Sequence, residues 1–279
     1  MPDRDATSPA GSGEELPAQA NGGWIGGYAE GFDNSTDSYR LTTLSGQALD
    51  PTAKAYFREY LESYFNEEFV YGWGTEDILD MLANVPAARS WLDLGAGTST
   101  FLWSIPLHEV EHIVCCDVVP EALAVLEDFA AQAAIPRCYR DVMAMYGCSD
   151  AGLAARRRAL AEFVVFDFFQ PWPADISDER YDLVTAIGAF SLAPNEQAYA
   201  ACFRHMHAAL ARGTRVVGAD WIRSAAFVAQ EGHDNRYVSR ALLDNAARRA
   251  GFTVHACRQV GFDGDPLYDG LVAWSLERV

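Results

Sequence analysis

The chain has 279 residues, 50% of them hydrophobic, which is enough for one large α/β domain with a peripheral cap. Its 39 acidic residues outnumber its 21 basic residues, and a surface with this net charge of −18 repels phosphate backbones, so we expect no nucleic-acid partner. The sequence contains no secretory signal and no run of about 20 apolar residues, so we expect a cytoplasmic protein without a membrane partner.

The cysteines give no sign of a metal centre. The chain has six, none in a Cys-x-x-Cys pair, and Cys115 and Cys116 lie in a predicted buried strand. This spacing indicates neither a metal cluster nor a disulfide framework, which fits a reducing compartment. We therefore predict no metal site.

The N-terminal part is predicted to form a tail and a cap. Residues 1–22 are rich in Pro, Gly, Ser, Ala and acids, which predicts a disordered tail. Residues 23–85 are predicted to form a lid with cap helices. Their first part, residues 23–49, places aromatics such as Trp24 and Tyr28 among glycines. It is either a lid that becomes ordered or a loop that covers apolar surface. In the lid interpretation, Tyr28 is a candidate substrate contact.

A helix is predicted to begin at Asp50-Pro51, because proline suits the first helical position. Tyr56, Tyr60 and Tyr64 recur within it every four residues, which places three phenols on one face. They form either an ordinary aromatic core stripe or a ligand-facing surface. A second helix is predicted over residues 75–82.

The chain is organised around a strand, a glycine turn and a helix start. The apolar residues 91–94 predict a buried parallel strand, interrupted by one acid, Asp93. Gly95 and Gly97 permit a tight turn and a close approach of ligand to backbone. The next helix is predicted over residues 101–107. Its candidate caps are Thr98, Ser99 and Thr100. Thr100 occupies the position of the third glycine in a dinucleotide fingerprint, which argues against a pyrophosphate.

Three more predicted strands end in polar or small residues. The strand over residues 113–117 ends in Asp117, which can accept hydrogen bonds from two ribose hydroxyls or can merely cap the following helix. The strand over residues 163–166 precedes Asp167, and the segment 181–190 carries the fourth strand. Carboxyl ends of parallel strands meet at one edge of a sheet, so these residues are predicted to share a site.

The remaining elements complete a doubly wound sheet. Helices are predicted over residues 149–160, 199–211 and 239–250, and a fifth strand over residues 215–220. Residues 252–260 and 271–276 predict two closing strands joined by a Gly/Asp/Pro loop. We therefore predict one α/β domain over residues 86–279.

The residues Asp93-Leu94-Gly95-Ala96-Gly97-Thr98 resemble motif I of the class I S-adenosylmethionine (AdoMet) methyltransferases. The resemblance implies a Rossmann-like, mostly parallel sheet of seven strands with an antiparallel C-terminal hairpin. It also implies that Asp93 supports the methionine end of AdoMet and that the glycines face the sugar. By the same resemblance, Asp167 accepts the adenine amino group and Phe168 lies against the ring. The segment 181–190 then faces the methyl group and the substrate.

Further segments resemble the branch that contains nicotinamide, phenylethanolamine and indolethylamine N-methyltransferases. They are residues 60–65, 166–173, 218–226 and 268–274, together with the long insert before the third strand. In that branch, the N-terminal aromatics close over the cofactor. The resemblance runs from about residue 50 to the C-terminus.

The chain departs from this branch at several positions. Thr98 replaces a usual proline, and Phe65 and Phe101 replace usual tyrosines, which removes hydrogen bonds to the cofactor carboxylate. Ala225 and Ala226 replace tyrosines of the substrate pocket, which predicts a roomier pocket.

The resemblance implies AdoMet as cofactor, S-adenosylhomocysteine (AdoHcy) as product and a small-molecule amine as methyl acceptor, in a monomer or weak dimer. Asp220, at a predicted strand end, is the candidate that orients the amine, although it can equally cap the next helix. Phe190, Trp221 and Ser224 are candidate substrate walls. The predicted cofactor contacts are Tyr60, Tyr64, Asp93, Gly95, Ala96, Gly97, Thr98, Ser99, Phe101, Asp117, Asp167, Phe168 and Ala186.

Three other functions remain open from the sequence. A small-molecule O-methyltransferase would need a base or metal near a phenol. A non-catalytic AdoMet-binding protein would keep Asp117 and Asp167 without turnover. A nicotinamide dehydrogenase would bind NADH.

Overall fold

The computed structural model describes residues 42–65, 67–132, 134–177 and 180–279. The predicted tail over residues 1–22 and the aromatic segment with Trp24 and Tyr28 lie outside the described residues. In the described part of the chain, no helix is both long and apolar enough to span a bilayer.

One mixed sheet forms the centre of the domain. Its eight strands are β1 (Thr42–Thr43), β2 (Ser90–Leu94), β3 (His112–Asp117), β4 (Leu160–Val165), β5 (Leu183–Ile187), β6 (Arg215–Arg223), β7 (Phe252–Gly261) and β8 (Tyr268–Arg278). Their order across the sheet is β1-β4-β3-β2-β5-β6-β8-β7. Strands β4, β3, β2, β5 and β6 are parallel, whereas β8 is antiparallel to both β6 and β7. This confirms the predicted sheet and its C-terminal hairpin.

The sheet differs from the prediction at two places. A short edge strand, β1, pairs Thr42 and Thr43 antiparallel to β4, which adds an eighth strand. Strand β6 continues beyond Asp220 to Arg223, because β8 pairs with it along its whole length. Trp221 and Arg223 therefore belong to the strand itself.

Helices cover both faces of the sheet. They are α1 (Pro51–Phe65), α2 (Thr75–Ala83), α3 (Thr100–Trp103), α4 (Pro120–Ala131), α5 (Arg137–Tyr146), α6 (Asp150–Ala159), α7 (Ala174–Ser177), α8 (Glu196–Ala209), α9 (Ala225–Glu231) and α10 (Arg240–Ala250). Buried side chains of α1 to α6 pack on one face, and those of α7, α8 and α10 pack on the other. The result is the three-layer arrangement expected of a doubly wound α/β domain.

Two helices differ from their predictions. The insert before β4 contains α5 as well as the predicted helix, and α5 buries Cys138, Tyr139, Val142 and Met143 at helical spacing. Helix α3 ends at Trp103 instead of residue 107, and Pro106 follows in the next turn, where proline cannot continue a helix.

The tyrosines of α1 do not form its core-facing side. That side is formed by Ala53 and Leu61, both buried. Tyr60 and Tyr64 are 40% and 52% exposed. The helix is fixed against α4 by an ion pair between Lys54 Nζ and Asp128 Oδ2 at 2.8 Å. The core-stripe interpretation of the tyrosines is therefore wrong.

Candidate functional site

The glycine turn after β2 presents an open backbone face. Gly95 and Gly97 have positive φ angles of 64° and 51°, which favour glycine. A Cβ on Gly95 would lie 2.7 Å from the Ala189 Cβ, so the neighbouring segment already fills that side. A Cβ on Gly97 would meet nothing closer than the Gly95 carbonyl oxygen at 3.9 Å. The described residues thus leave room for a ligand beside Gly97.

Exposure alternates along this turn. Gly95, Gly97 and Ser99 are half-buried, whereas Ala96 and Thr98 are each 2% exposed. The backbone N–H of Ala96 donates to the Cys116 carbonyl at 2.9 Å and attaches the turn to β3. The side chains of Ala96 and Thr98 therefore face the protein interior, so only the backbone of these two residues can border a ligand.

Two of the three predicted capping hydroxyls, those of Ser99 and Thr100, have other partners, and the buried Thr98 hydroxyl has none among the described residues. Ser99 is the N-cap residue of α3, but its Oγ accepts from the Trp103 indole at 3.0 Å and not from a helix N–H. Thr100 donates its hydroxyl to Asp93 Oδ2 at 2.5 Å. Both hydroxyls stabilise the turn without capping the helix.

Asp93 stabilises the turn by hydrogen bonds inside the protein. It is 2% exposed, and Thr185 donates to its other oxygen at 2.5 Å. Trp91 Nε1 in turn donates to Thr185 Oγ1 at 2.7 Å. Burial raises the pKa of Asp93 to about 7. Because its side chain is buried, Asp93 supports the turn from inside the protein and makes no direct contact with the open edge, which corrects its prediction as a direct cofactor contact.

Asp117 lies at the carboxyl end of β3, directly beside the turn. Its Oδ2 accepts from the Gly97 N–H at 2.9 Å, and its Oδ1 accepts from the Val119 N–H at 2.9 Å. The second bond closes a local turn before α4, whose N-cap residue is Val119, and does not cap the helix itself. Asp117 remains half-buried, and burial raises its pKa. Each oxygen retains a lone pair, because a carboxylate oxygen can accept two hydrogen bonds.

Asp167 follows β4 on the same edge and is also half-buried. Its Oδ1 accepts from the Phe169 N–H at 2.9 Å. Phe168 is 5% exposed and contacts Phe169 in a tilted arrangement at a ring-centroid distance of 4.7 Å. Its Cε1 lies 3.5 Å from the Cβ position of Gly95. Asp167 and Phe168 are thus adjacent to the glycine turn.

Two predicted cofactor contacts are core residues. Phe101 is fully buried and packs against Phe129 and Tyr139 at ring-centroid distances of 6.0 and 5.9 Å. Ala186 is also fully buried, within β5. Both predictions are corrected, because neither side chain reaches the open edge. Within the predicted substrate-facing segment 181–190, Gly188 is half-buried just after β5 and has a positive φ of 73°.

Asp220 has no exposed surface and is held by three donors. Tyr199 Oη donates to it at 2.8 Å, Trp274 Nε1 at 3.0 Å and the Ser191 N–H at 2.8 Å. Burial raises its pKa to about 6. Because its oxygens face the layer of α8 and α10, the structure contradicts its prediction as the group that contacts the methyl acceptor. Asp220 instead joins β6 to β8, to α8 and to the segment after β5.

Asp220→Asn is therefore expected to act on stability. The amide nitrogen of the introduced asparagine would face one of the three groups that donate to Asp220. At least one buried N–H or O–H would then lack an acceptor, which lowers the free energy of unfolding by about 1–3 kcal/mol. The wild-type pKa of about 6 exceeds the ordinary 3.8, so the native state holds its proton more tightly. This tighter proton binding adds to the free energy of unfolding of the wild type. The contribution is fully present below pH 3.8 and is lost as pH rises through about 6.

The free-energy difference between the wild type and Asp220→Asn should thus be larger at pH 4.5 than at pH 8. Urea unfolding of both proteins at the two pH values measures it. Equal stability of the two proteins at both pH values would show that the carboxylate is not a structural acceptor.

The predicted substrate walls are only partly supported. Phe190 is 1% exposed and stacks on Trp274 at 5.9 Å, so it belongs to the core. Ser224 caps α9 by accepting from the Phe227 N–H at 3.0 Å, and it donates to the Pro266 carbonyl at 2.6 Å. These two predictions are corrected, because both side chains are already fully engaged. Trp221 is half-buried, with its ring 3.6 Å from the Cβ position of Gly188.

The exposed tyrosines of α1 lie near the end of the C-terminal hairpin. The rings of Tyr60 and Tyr64 are 4.7 Å apart. Burial and the neighbouring Tyr64 raise the pKa of Tyr268, whereas Arg223 lowers it. Tyr56 is likewise influenced by Arg223. The sequence pattern does not single out Arg223, because it predicts a fifth strand over residues 215–220 only.

In the described part of the chain, no group of three or more His, Cys, Asp or Glu side chains is arranged to hold a metal ion.

Comparisons with known proteins show the fold. No protein-family model and no curated protein sequence matches this chain. Among solved structures, it is similar to N-methyltransferase NodS from Bradyrhizobium japonicum in complex with S-adenosyl-L-homocysteine, at 12% identity and a TM-score of 0.51, covering 80% of this chain and 98% of that chain. It is also similar to magnesium protoporphyrin IX methyltransferase (ChlM) from Synechocystis with bound AdoHcy, at 13% identity and a TM-score of 0.51, covering 81% and 99%.

A third similar structure is an O-methyltransferase family 2 protein from Planctomyces limnophilus in complex with apigenin. It is 13% identical, with a TM-score of 0.52, and the match covers 84% of this chain and 63% of that chain. The three neighbours carry out transfer to different acceptors. The chain therefore has the Rossmann-like fold that these methyltransferases share.

Proposed function

We propose that the chain is an AdoMet-dependent methyltransferase that acts on a nitrogen of a small molecule. One observation carries the cofactor assignment. The half-buried Gly97, Asp117 and Asp167 lie together at the carboxyl ends of three neighbouring parallel strands. This is the position where open α/β sheets bind their ligands.

The donor and acceptor chemistry of this edge fits AdoMet. Asp117 has two oxygens with remaining lone pairs, and the two ribose hydroxyls of AdoMet are donors. Asp167 is suited to accept the adenine amino group, because its Oδ1 accepts one backbone N–H, from Phe169, and its Oδ2 accepts a long hydrogen bond from Gln170 Nε2 at 3.4 Å. The open face of Gly97 is suited to the sugar. A pyrophosphate fits less well, because two carboxylates border the same edge.

When bound, AdoMet supplies a methyl group that its sulfonium already activates. The chain then has to hold the acceptor nitrogen in line with that methyl carbon. The nitrogen must arrive uncharged; the N–C bond forms as the S–C bond breaks, and one proton is released from the amine. AdoHcy and the methylated amine are the products.

A nitrogen acceptor is supported by two features. The segments over residues 166–173, 218–226 and 268–274 resemble those of amine methyltransferases. A net charge of −18 attracts cationic amines from solution and repels anions. The substrate side of the site is then the carboxyl end of β5 and β6, where Trp221 approaches Gly188.

We further propose that the half-exposed Tyr60 and Tyr64 of α1 cover the bound cofactor. They lie on the same side of the sheet as α3 and α4, which follow the cofactor-binding strands. In this proposal α1 excludes water from the transfer, as closing lids do in many enzymes.

A broad screen tests the reaction. The purified protein is incubated with AdoMet and a panel of amines, N-heterocycles, phenols and thiols, and AdoHcy release is measured. Turnover of amines alone is expected. Turnover confined to phenols would replace the nitrogen assignment by an O-methyltransferase, and AdoHcy binding without any turnover would favour a non-catalytic AdoMet-binding protein.

A further inference from the structure

Arg223 is a buried cation without a counter-charge. It is the last residue of β6 and is 6% exposed. Its Nη1 is buried and has no hydrogen-bond partner. The contact of its guanidinium is with the face of Phe227, at 4.7 Å from the ring centroid. None of the ion pairs formed by the described residues includes Arg223.

Burial of an unpaired arginine lowers the stability of a folded protein. An arginine cannot shed its proton, so burial leaves it charged. A buried charge that lacks an ionic or hydrogen-bonding partner destabilises the native state. Such a group is expected where a ligand supplies the missing partner.

The surroundings of Arg223 are aromatic and hold no carboxylate paired with it. Phe227 makes an edge contact with Tyr268 at a ring-centroid distance of 5.5 Å. Glu231 and Asp265 act on the neighbouring tyrosines, but neither forms an ion pair with Arg223. Asp265 Oδ1 accepts from the N–H groups of Leu267 and Tyr268, at 2.8 and 2.6 Å.

The backbone holds Arg223 in a fixed position. Its N–H donates to Asn235 Oδ1 at 2.9 Å, and the following Ser224 N–H donates to the Leu267 carbonyl at 2.8 Å. Asn235 is itself buried and donates to the Trp221 carbonyl at 2.8 Å. The cation is therefore positioned in advance of any ligand, which lowers the entropic cost of binding.

Arg223 also lies on the acceptor side of the proposed transfer. Arg223 follows Trp221 by two residues and ends β6 at the carboxyl edge of the sheet, after a register shift between Ile222 and Arg223. Trp221 approaches Gly188 at the carboxyl end of β5. The phenols of Tyr56 and Tyr268 lie within electrostatic range of Arg223 and offer further O–H donors.

We propose that Arg223 binds a carboxylate of the methyl acceptor, so that the substrate is a small amine that also carries a carboxylate. The inference rests on the proposed methyl transfer and names its substrate class. A planar guanidinium matches a carboxylate with two parallel hydrogen bonds. Such an amino acid is a zwitterion with no net charge, so the acidic protein surface does not repel it.

Matched pairs of compounds test this inference by binding as well as turnover. The pairs are histidine with histamine, tyrosine with tyramine and tryptophan with tryptamine, which differ only in the carboxylate. Each is titrated by calorimetry into wild type, Arg223→Gln and Arg223→Lys, with and without saturating AdoHcy. Arg236→Gln is the control, because it removes the same charge from an exposed arginine that is already paired with Asp234.

In at least one pair, wild type and Arg236→Gln are expected to bind the carboxylate member at least about 10-fold more tightly than its amine partner. Arg223→Gln should lose this preference, Arg223→Lys should retain part of it, and AdoHcy affinity should not change. The melting temperature of ligand-free Arg223→Gln should not fall, because the substitution removes an unpaired buried charge.

The inference is overturned if no pair shows the preference, or if Arg223→Gln retains it. It is also overturned if Arg223→Gln simply destabilises the ligand-free protein, since the arginine is then structural. Failure of the proposed methyl transfer is a separate result: AdoHcy would not bind, while the carboxylate preference in its absence would still report on Arg223.

Discussion

Asp117→Ala is expected to weaken AdoHcy binding about 100-fold. The carboxylate at the end of β3 is proposed to accept both ribose hydroxyls, and each charge-assisted hydrogen bond contributes about 1.5–3 kcal/mol before compensation. The substitution also removes the acceptor of the Gly97 N–H, which shapes the open face of the turn. Both effects are expected to weaken AdoHcy binding. Calorimetry of AdoHcy with the two proteins measures the change.

Asp244→Ala is the matched control for this experiment. Asp244 is an exposed acid on α10 that pairs with Arg248, far from the glycine turn in the sheet order. It should leave AdoHcy affinity unchanged. If Asp117→Ala also binds AdoHcy with wild-type affinity while remaining folded, the ribose assignment is wrong.

Gly218→Ala is expected to destabilise the fold by about 3 kcal/mol. A Cβ at this position would lie 2.1 Å from Trp274 Cζ2, in the pairing of β6 with β8. Trp274 is fully buried and cannot move aside, because its indole donates to Asp220 and stacks on Phe190. The added methyl therefore forces a shift of the hairpin. Urea unfolding gives the free-energy difference.

Gly46→Ala supplies the comparison, since a Cβ there meets nothing within 4 Å and the backbone has no positive φ. Its free energy of unfolding should lie close to that of wild type. Should Gly218→Ala unfold at the same urea concentration as Gly46→Ala, the tight contact between Gly218 and the indole would be absent in solution.

The position of the proposed cofactor-binding edge was predictable because its signals are local in the sequence. Asp117 and Asp167 directly follow short apolar runs, and Gly97 lies three residues after the run over residues 91–94. The carboxyl ends of parallel strands meet at one edge of the sheet, so this placement can be predicted without information on long-range packing. The order of the strands then placed these residues on one edge, as the structure has them.

The roles of the buried polar and aromatic residues were not predictable in this way. Both faces of the sheet are covered by helices, so an alternating pattern does not say which side chain reaches a ligand. Asp220 is engaged by Tyr199 and Trp274, which lie 21 and 54 residues away along the chain. Asp93 is engaged by Thr185, 92 residues away. Only the folded structure reveals that these carboxylates are already satisfied.

Arg223 was missed for a related reason. The sequence suggested that the fifth strand stops at Asp220, because the next residues resemble the start of a helix. Pairing with β8 continues through Leu271 and Gly270 and extends the strand by three residues, to Arg223. A strand end set by its partner cannot be located from local propensity alone.

Titration of the wild-type protein with AdoHcy, followed by calorimetry, tests the central claim most directly, with NADH as the competing ligand. The account predicts a single AdoHcy site with micromolar affinity and no heat from NADH. Tight binding of NADH with no binding of AdoHcy would contradict it, because the glycine turn and its two carboxylates would then serve a dinucleotide.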